Sequence, residues 1–483
     1  VLEALQRDHR IVREQLARVR GIEAADRLIA ELERQSTDAA ALLLDRTRTR
    51  VHWVTLAEHL AVAETADGLQ ALDDLGISVD EIIINRVTPP GPSCALCDRR
   101  RGLEANIITA VRRLARGRQV RQIDTELVEP RGVARLRRIG LALASPVPLA
   151  REPAGRRGRP APADVQKSPS ALKLRALRGT RLLFCGGKGG VGKTTIAAAI
   201  ALRLARDAPT ERVLLLSTDP AHSLADVLGA AVSNAAAPVP GAPTNLSVRE
   251  LDPAEALFAR RARLEASLRA LADSLGRAGI GSMVNRGLAE VIDLAPPGID
   301  ELLGVLSVLE SRSMYDSVVV DTAPTGHALR LLEMPAVARD WVQALLRVML
   351  KYRRIVRPGP FAADLIEVSR QIRGLQDLLR DPAATRFITV ARAAELPRRE
   401  TAKLLARLRR FHIPAPLVVV NALTMSSGRC PRCRATRIAE RREMSRMGRL
   451  CREHRCAIIQ APLTVPPPRG IEALEQWGRT WIA

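Results

Sequence analysis

Leu182-Leu183-Phe184-Cys185 followed by Gly186-Gly187-Lys188-Gly189-Gly190-Val191-Gly192-Lys193-Thr194-Thr195 reads as a buried strand, a glycine loop and the start of a helix. Glycines at this spacing let the backbone wrap an anion with its N–H groups turned inward. Lys193 stands where an ammonium neutralises the β- and γ-phosphates of a nucleotide, and Thr194 where a hydroxyl binds Mg²⁺ at the helix N-terminus. Gly187, Gly189, Gly190, Val191, Gly192 and Thr195 complete the cradle. Two of the chain's six lysines, Lys188 and Lys193, lie in these ten residues, which argues against a chance glycine-rich turn.

Downstream, short apolar runs alternate with longer helical patterns. The runs are Arg181 to Phe184, Val213 to Ser217, Val318 to Val320, Phe387 to Val390, Leu417 to Val420 and Ala457 to Gln460. This alternation predicts an α/β fold, a P-loop NTPase whose parallel sheet is covered by helices on both faces.

An internal repeat organises the rest. At a shift of 336, Glu64-Thr65 falls on Glu400-Thr401, Ile82-Ile83-Ile84-Asn85 on Val418-Val419-Val420-Asn421, and Cys94 and Cys97 on Cys430 and Cys433. Pro130-Arg131-Gly132 matches Pro468-Arg469-Gly470 at a shift of 338. Residues 38–141 are thus expected to copy 374–479, the last third of a larger domain. The first copy is headless: 193 − 336 = −143, so its P-loop is expected upstream of residue 1. The expected domains are 1–142, a partial first half without P-loop or switches; 143–178, a Pro/Arg/Ala-rich linker; and 179–483, a complete ATPase domain, together a tandem pseudo-dimer. The first copy keeps strands only at Val51 to Val54, Glu81 to Ile84 and Gln119 to Ile123, a half sheet with an open apolar edge.

The 483 residues carry a net charge of +23, yet the basic residues are nearly all Arg, and two tyrosines and five phenylalanines give no aromatic platform for stacking bases. We read a compositionally biased, solvated surface and expect no specific nucleic-acid partner. The N-terminal residues lack a signal-peptide pattern and no apolar run reaches the roughly 18 residues a membrane span needs, so the cytoplasm is expected. Peripheral attachment to a membrane would come through a partner.

Seven cysteines include two C-x-x-C pairs. One pair cannot close a tetrahedral zinc site, but two pairs facing each other about a pseudo-two-fold axis would, through Cys94, Cys97, Cys430 and Cys433. Reduced thiols or a redox switch, an iron–sulfur cluster, and a local ribbon of Cys430, Cys433, Cys451 and Cys456 with His454 are the competing readings. The ribbon leaves Cys94 and Cys97 unexplained. Cys185 reads as a buried small residue.

Lys188 marks the deviant Walker A loop of dimeric ATPases. Ser217-Thr218-Asp219-Pro220-Ala221-His222-Ser223-Leu224-Ala225-Asp226 resembles a switch I, and Asp321-Thr322-Ala323-Pro324-Thr325-Gly326-His327 a switch II. Together they closely resemble the ArsA-type family, which includes arsenite-pump ATPases and targeting factors for tail-anchored membrane proteins. The resemblance covers residues 181–479 fully and 38–141 as a partial copy. It implies ATP hydrolysis with Mg²⁺, Lys188 reaching the nucleotide of a facing half or second chain, Asp219 orienting the attacking water, and Asp321 and Thr194 holding the Mg²⁺ shell. It further implies that Asn421 and Pro462 border adenine, that Asn85 is the first copy's counterpart of Asn421, and that zinc bridges the C-x-x-C pairs. The residues alone leave Asn421 equally readable as a strand-end cap. His222 and His327 read as structural members of the switches, since phosphoryl transfer needs no titrating imidazole.

Two activities follow from the resemblance. In the first, ATP-driven opening and closing of two halves drives a membrane anion or metalloid transporter. In the alternative, the cycle binds and targets tail-anchored or other apolar membrane-protein segments. Residues 294–301, Leu-Ala-Pro-Pro-Gly-Ile-Asp-Glu, hold no cysteine where pump members carry a metalloid thiolate, and look more like the targeting branch. The client groove would come from Ala256 to Leu294 and Val337 to Leu379, segments equally able to pack on the chain's own core.

Overall fold

The computed structural model describes residues 24–127, 129–144, 177, 179–219, 223–251, 314–322, 360–425 and 429–482. Outside them lie His222, His327, the 294–301 run, the 256–294 segment, most of the 337–379 segment and nearly all of the expected linker.

The described chain builds two sheets. In the first copy, α1 (Ala24–Leu44) leads into β1 (Val51–Leu56), α2 (His59–Asp74), β2 (Val79–Val87), α3 (Ala95–Leu114), β3 (Gln119–Asp124) and α4 (Gly132–Ala144). The strands form a parallel sheet in the order β1-β2-β3. Ile82 and Ile84 alternate onto one face of β2 and meet Leu69, Ile107, Ile108 and Val111 from the two crossover helices. On the opposite face of the edge strand β1, Val54 is 58% exposed.

The second copy contains β4 (Leu182–Gly186), α5 (Lys193–Asp207), β5 (Val213–Ser217), α6 (Ser223–Leu228), β6 (Ala237–Pro238), β7 (Leu246–Glu250) and β8 (Ser317–Asp321). It continues with α7 (Pro360–Arg380), β9 (Thr385–Arg392), α8 (Glu395–Arg410), β10 (Leu417–Leu423), α9 (Pro431–His454), β11 (Ala457–Pro462) and α10 (Ile471–Gly478). The eight strands run β11-β10-β9-β4-β8-β5-β7-β6, all parallel except the two-residue β6. The six expected strands are all present, and β7 and β6 are added. Leu246-Ser-Val-Arg-Glu250 alternates buried and half-buried residues, so it lacks the continuous apolar run that betrays the other strands. Leu182 and Phe184 face one core layer and Leu183 and Cys185 the opposite one, as a sheet covered on both faces requires.

The copies share local geometry at matched positions. Arg86 and Ala422, one residue past Asn85 and Asn421, both adopt positive φ (63° and 56°). Thr88 N–H and hydroxyl donate to Glu104 at 2.7 and 2.9 Å, and Thr424 N–H and hydroxyl donate to Glu440 at 3.0 and 3.2 Å. Bulk is exchanged elsewhere. Trp53 fills the space a Cβ at Gly68 would take, 2.1 Å from such an atom, where the second copy has Thr389 and Leu404.

Cross-copy polar contacts run in both directions. Arg99 donates to the Val465 carbonyl at 3.2 Å and Arg432 to the Thr125 carbonyl at 2.6 Å. The Leu396 N–H donates to Glu129 at 3.1 Å, and Arg131 pairs with Glu395.

Candidate nucleotide and metal sites

β4 delivers the glycine loop at the carboxyl edge of the sheet, and α5 begins at Lys193. Gly192 caps this helix at φ 86°, and a Cβ there would stand 2.3 Å from Asn421 Nδ2, so glycine is required twice over. A Cβ on Gly187 would come within 2.1 Å of the Val390 carbonyl oxygen, which shows how tightly the loop lies on β9. Lys193 and Thr194 are buried at the helix start, whereas Lys188 is only partly covered and Gly189 and Gly190 are exposed.

Asp321 ends β8 opposite Cys185 of β4 and Ser217 of β5, so the sheet itself sets its carboxylate beneath the loop. The group is fully buried, and neither oxygen has a hydrogen-bond partner of good geometry. Burial pushes its pKa up to about 7, opposed by the nearby Thr194 hydroxyl and Lys193 ammonium. An orphaned carboxylate beside a helix-start threonine is a donor set for a hard divalent cation. Thr194 and Asp321 therefore fit Mg²⁺.

Switch I leaves the neighbouring strand. Ser217 Oγ accepts from Asp219 N–H at 3.2 Å, and Thr218 N–H and hydroxyl donate to the Asp321 carbonyl at 2.9 and 3.2 Å, which ties the two switch entries together. Sequence reasoning missed Glu250, the buried end of β7, whose Oε1 accepts from Leu224 N–H at 3.1 Å and fixes the start of the switch I helix. Burial, and next the charge of Asp219, raise the pKa of Glu64 from the first copy. The junction of the copies thus passes close to Asp219.

Asn421 Nδ2 donates to the Val191 carbonyl at 2.9 Å, and its Oδ1 accepts from Ala422 N–H at 2.7 Å. Through these two bonds it ties the glycine loop to the end of β10. Pro462 ends β11, registered with Leu423 past an irregularity in the ladder, and its carbonyl accepts from Trp477 Nε1 at 2.9 Å.

Cys94 and Cys430 are the N-cap residues of α3 and α9, so both C-x-x-C pairs sit on a helix's first turn. Their four sulfurs lie within 4.8 Å of one another: Cys97–Cys433 at 3.5 Å, Cys94–Cys433 at 3.7 Å and Cys97–Cys430 at 3.9 Å. A disulfide needs about 2 Å. Four thiolates at about 2.3 Å from one tetrahedral ion lie about 3.8 Å apart, which is the spacing observed. The local ribbon is overturned. Cys433 and Cys451 are 18 residues apart along the single helix α9, a separation of about 27 Å. Cys451 instead accepts the Cys456 N–H on its carbonyl at 2.9 Å in a left-handed helix cap at Arg455. Cys185 is fully buried, as expected.

The family follows from comparison with known proteins. A family model described as anion-transporting ATPase, the ArsA ATPase family, matches residues 7–145 and 180–482. The chain belongs to this family. It is an ATPase. A protein named ATPase GET3 from Komagataella phaffii is 29% identical over 336 residues, covering 66% of this chain and 94% of that one. ATPase GET3 of Paracoccidioides lutzii is 31% identical over 333 residues, 65% of this chain and 94% of its own length. ATPase get3 of Aspergillus niger is 31% identical over 315 residues, with 62% and 89% covered. No helix among the described residues is long and apolar enough to cross a membrane.

Proposed function

We propose that this ArsA-family ATPase uses nucleotide-driven opening and closing of two halves to bind and release apolar membrane-protein segments, as expected of the tail-anchored targeting branch. The observation that carries the reading is the cysteine cluster shared between copies, the arrangement the resemblance assigns to that branch. The curated relatives carry the name ATPase GET3, and the cysteine-free 294–301 run weighs the same way. The transporter-driving reading placed first from sequence is set aside: neither the relatives' names nor the site favours it.

In this reading residues 1–142 are a partial copy that docks on the complete domain 179–483, or a second chain fills that role, and zinc held by Cys94, Cys97, Cys430 and Cys433 pins the two. The loop amides and Lys193 gather the phosphates, and Lys188 reaches the nucleotide across a closed junction. Mg²⁺, when bound at Thr194 and Asp321, supplies charge neutralisation. Asp219 aligns the attacking water, and the ties from Thr218 to Asp321 let the two switches move as one. Placement and charge account for most phosphoryl-transfer catalysis, so no titrating side chain is required.

The test is co-expression with a reporter ending in a single apolar helix. The reading expects co-purification with the reporter, with release tracking ATP turnover. Reporter aggregation unaffected by the protein in every nucleotide state, together with turnover stimulated by arsenite or antimonite, would overturn it in favour of the pump.

A further inference from the structure

The outward face of α9 carries more charge than the fold uses. Its inner side is settled: Cys433, Met447 and Cys451 are buried, Glu440 accepts from Thr424, and Glu443 pairs with Arg398 at 2.9 Å and with Arg446. Arg434, Arg441, Arg442, Arg449 and Arg452 lie on the other side, all exposed. At 3.6 residues per turn these five and Ile438 fall within about a third of the helix circumference, along a row about 27 Å long. Among the described residues none of the five guanidiniums makes an ion pair or hydrogen bond, and Glu453 is the one carboxylate of α9 left to oppose them. Arg442 and Arg446 stand four residues apart, where like charges repel and weaken a helix.

Arginine is abundant throughout the chain, but the repeat separates compositional bias from use. In the first copy, Arg99, Arg100 and Arg101 of α3 bond the Val465 carbonyl, Glu104 and Asp98 in turn. On the outer face of α3, Asp98, Ala105 and Asn106 stand where α9 has Arg434, Arg441 and Arg442, and Gly102 stands where it has Ile438. The N-terminal arginines of α3 are thus tied into the protein, whereas those of α9 form an untied row facing outward.

The row itself says which partner it fits. α9 has no Asn, Gln or aromatic side chain to read or stack bases, so the row suits a plane of diffuse negative charge better than a nucleic-acid groove. Ile438 is 45% exposed between Arg434 and Arg441. An apolar tip flanked by guanidiniums, whose methylene stems are apolar too, matches the headgroup layer of a membrane. We propose that the outer face of α9 binds the surface of a bilayer containing anionic phospholipids, with the five arginines on the headgroups and Ile438 entering between them. The chain then has a membrane contact of its own, where the sequence reading expects attachment only through a partner. The inference does not depend on which segments the ATPase cycle handles.

The experiment is co-sedimentation of the full chain with vesicles of phosphatidylcholine alone and of equal parts phosphatidylcholine and phosphatidylserine. The parent is expected to bind the mixed vesicles, with affinity falling steeply as salt rises, and not to bind the neutral ones. One arginine at an anionic surface is worth about fivefold in affinity. A variant given the first copy's residues, Arg434→Asp with Arg441→Ala and Arg442→Asn, should therefore lose at least about a hundredfold. Arg441→Gln with Arg442→Gln keeps good helix formers and should lose about twenty-fivefold. Both variants should keep parental ATP turnover, since none of these side chains has a partner in the fold among the described residues. Losses below about fivefold in both variants, equal binding to the neutral vesicles, or no binding to the mixed ones overturns the inference. So does duplex DNA that displaces the mixed vesicles and needs the same arginines, which would assign the face to nucleic acid.

Discussion

At the scale of single residues, the site is built from groups that are uncomfortable until a ligand arrives. Asp321 is the clearest: a fully buried carboxylate with only the Thr194 hydroxyl and the Lys193 charge to support it, held there because it ends a central strand between β4 and β5. Asp321→Asn should raise the melting temperature of the nucleotide-free protein, since a neutral amide replaces a desolvated acid, and should lower Mg²⁺-dependent turnover at least about a hundredfold. A variant equally active and no more stable would remove Asp321 from the metal shell. Gly192 tests the loop. Gly192→Ala meets both a left-handed φ of 86° and the Asn421 amide 2.3 Å away. It should cost about 1–3 kcal/mol and abolish nucleotide binding, as read by chemical denaturation and ligand titration. Both residues were legible in the sequence because their chemistry is local to a motif. Glu250 was not. Its role depends on β7 lying beside β5, a pairing that no spacing in the chain announces.

At the scale of elements, the repeat carried more information than the motif did. Six strands of the complete copy announce themselves by continuous apolar runs, as strands buried on both faces must, while β7 alternates and β6 is two residues long, and both escaped. The repeat also extends to a polar clasp. Thr88 and Glu104 stand 16 residues apart, as do Thr424 and Glu440, and each pair closes the same clasp between a strand's end and the following helix. Glu440→Ala leaves the buried Thr424 without its acceptor and should destabilise the second copy by about 1–3 kcal/mol. Glu104→Ala should do the same in the first copy and also strand Arg100, which lies 2.9 Å away. Separate unfolding transitions for the two variants, each shifted alone, would show that the clasps act within their own sheets. The local zinc ribbon failed for a reason of element geometry: a 24-residue helix is a rigid spacer, and the sequence interval from Cys433 to Cys451 is spent along its axis.

At the scale of the whole molecule, the copies meet along a seam that carries the thiol cluster and polar contacts running both ways. The pairing of Cys94 and Cys97 with Cys430 and Cys433 was foreseen because the repeat placed them in register, and the sulfur spacing of 3.5 to 3.9 Å agrees with one shared ion. Full-length protein should therefore bind about one equivalent of zinc, and Cys97→Ser should lose it and loosen the association of the copies, as read by metal analysis and by protease sensitivity of the seam. Zinc retained at parental stoichiometry in Cys97→Ser would count against the shared site.

The placement of that cluster on the first turns of α3 and α9 has a mechanical meaning. Two rods joined at their tips by a compact knot can rotate about it yet cannot separate, so any swing is largest far from the knot. A change of nucleotide charge at the phosphate loop would then be expressed as rotation of one body against the other rather than as their separation.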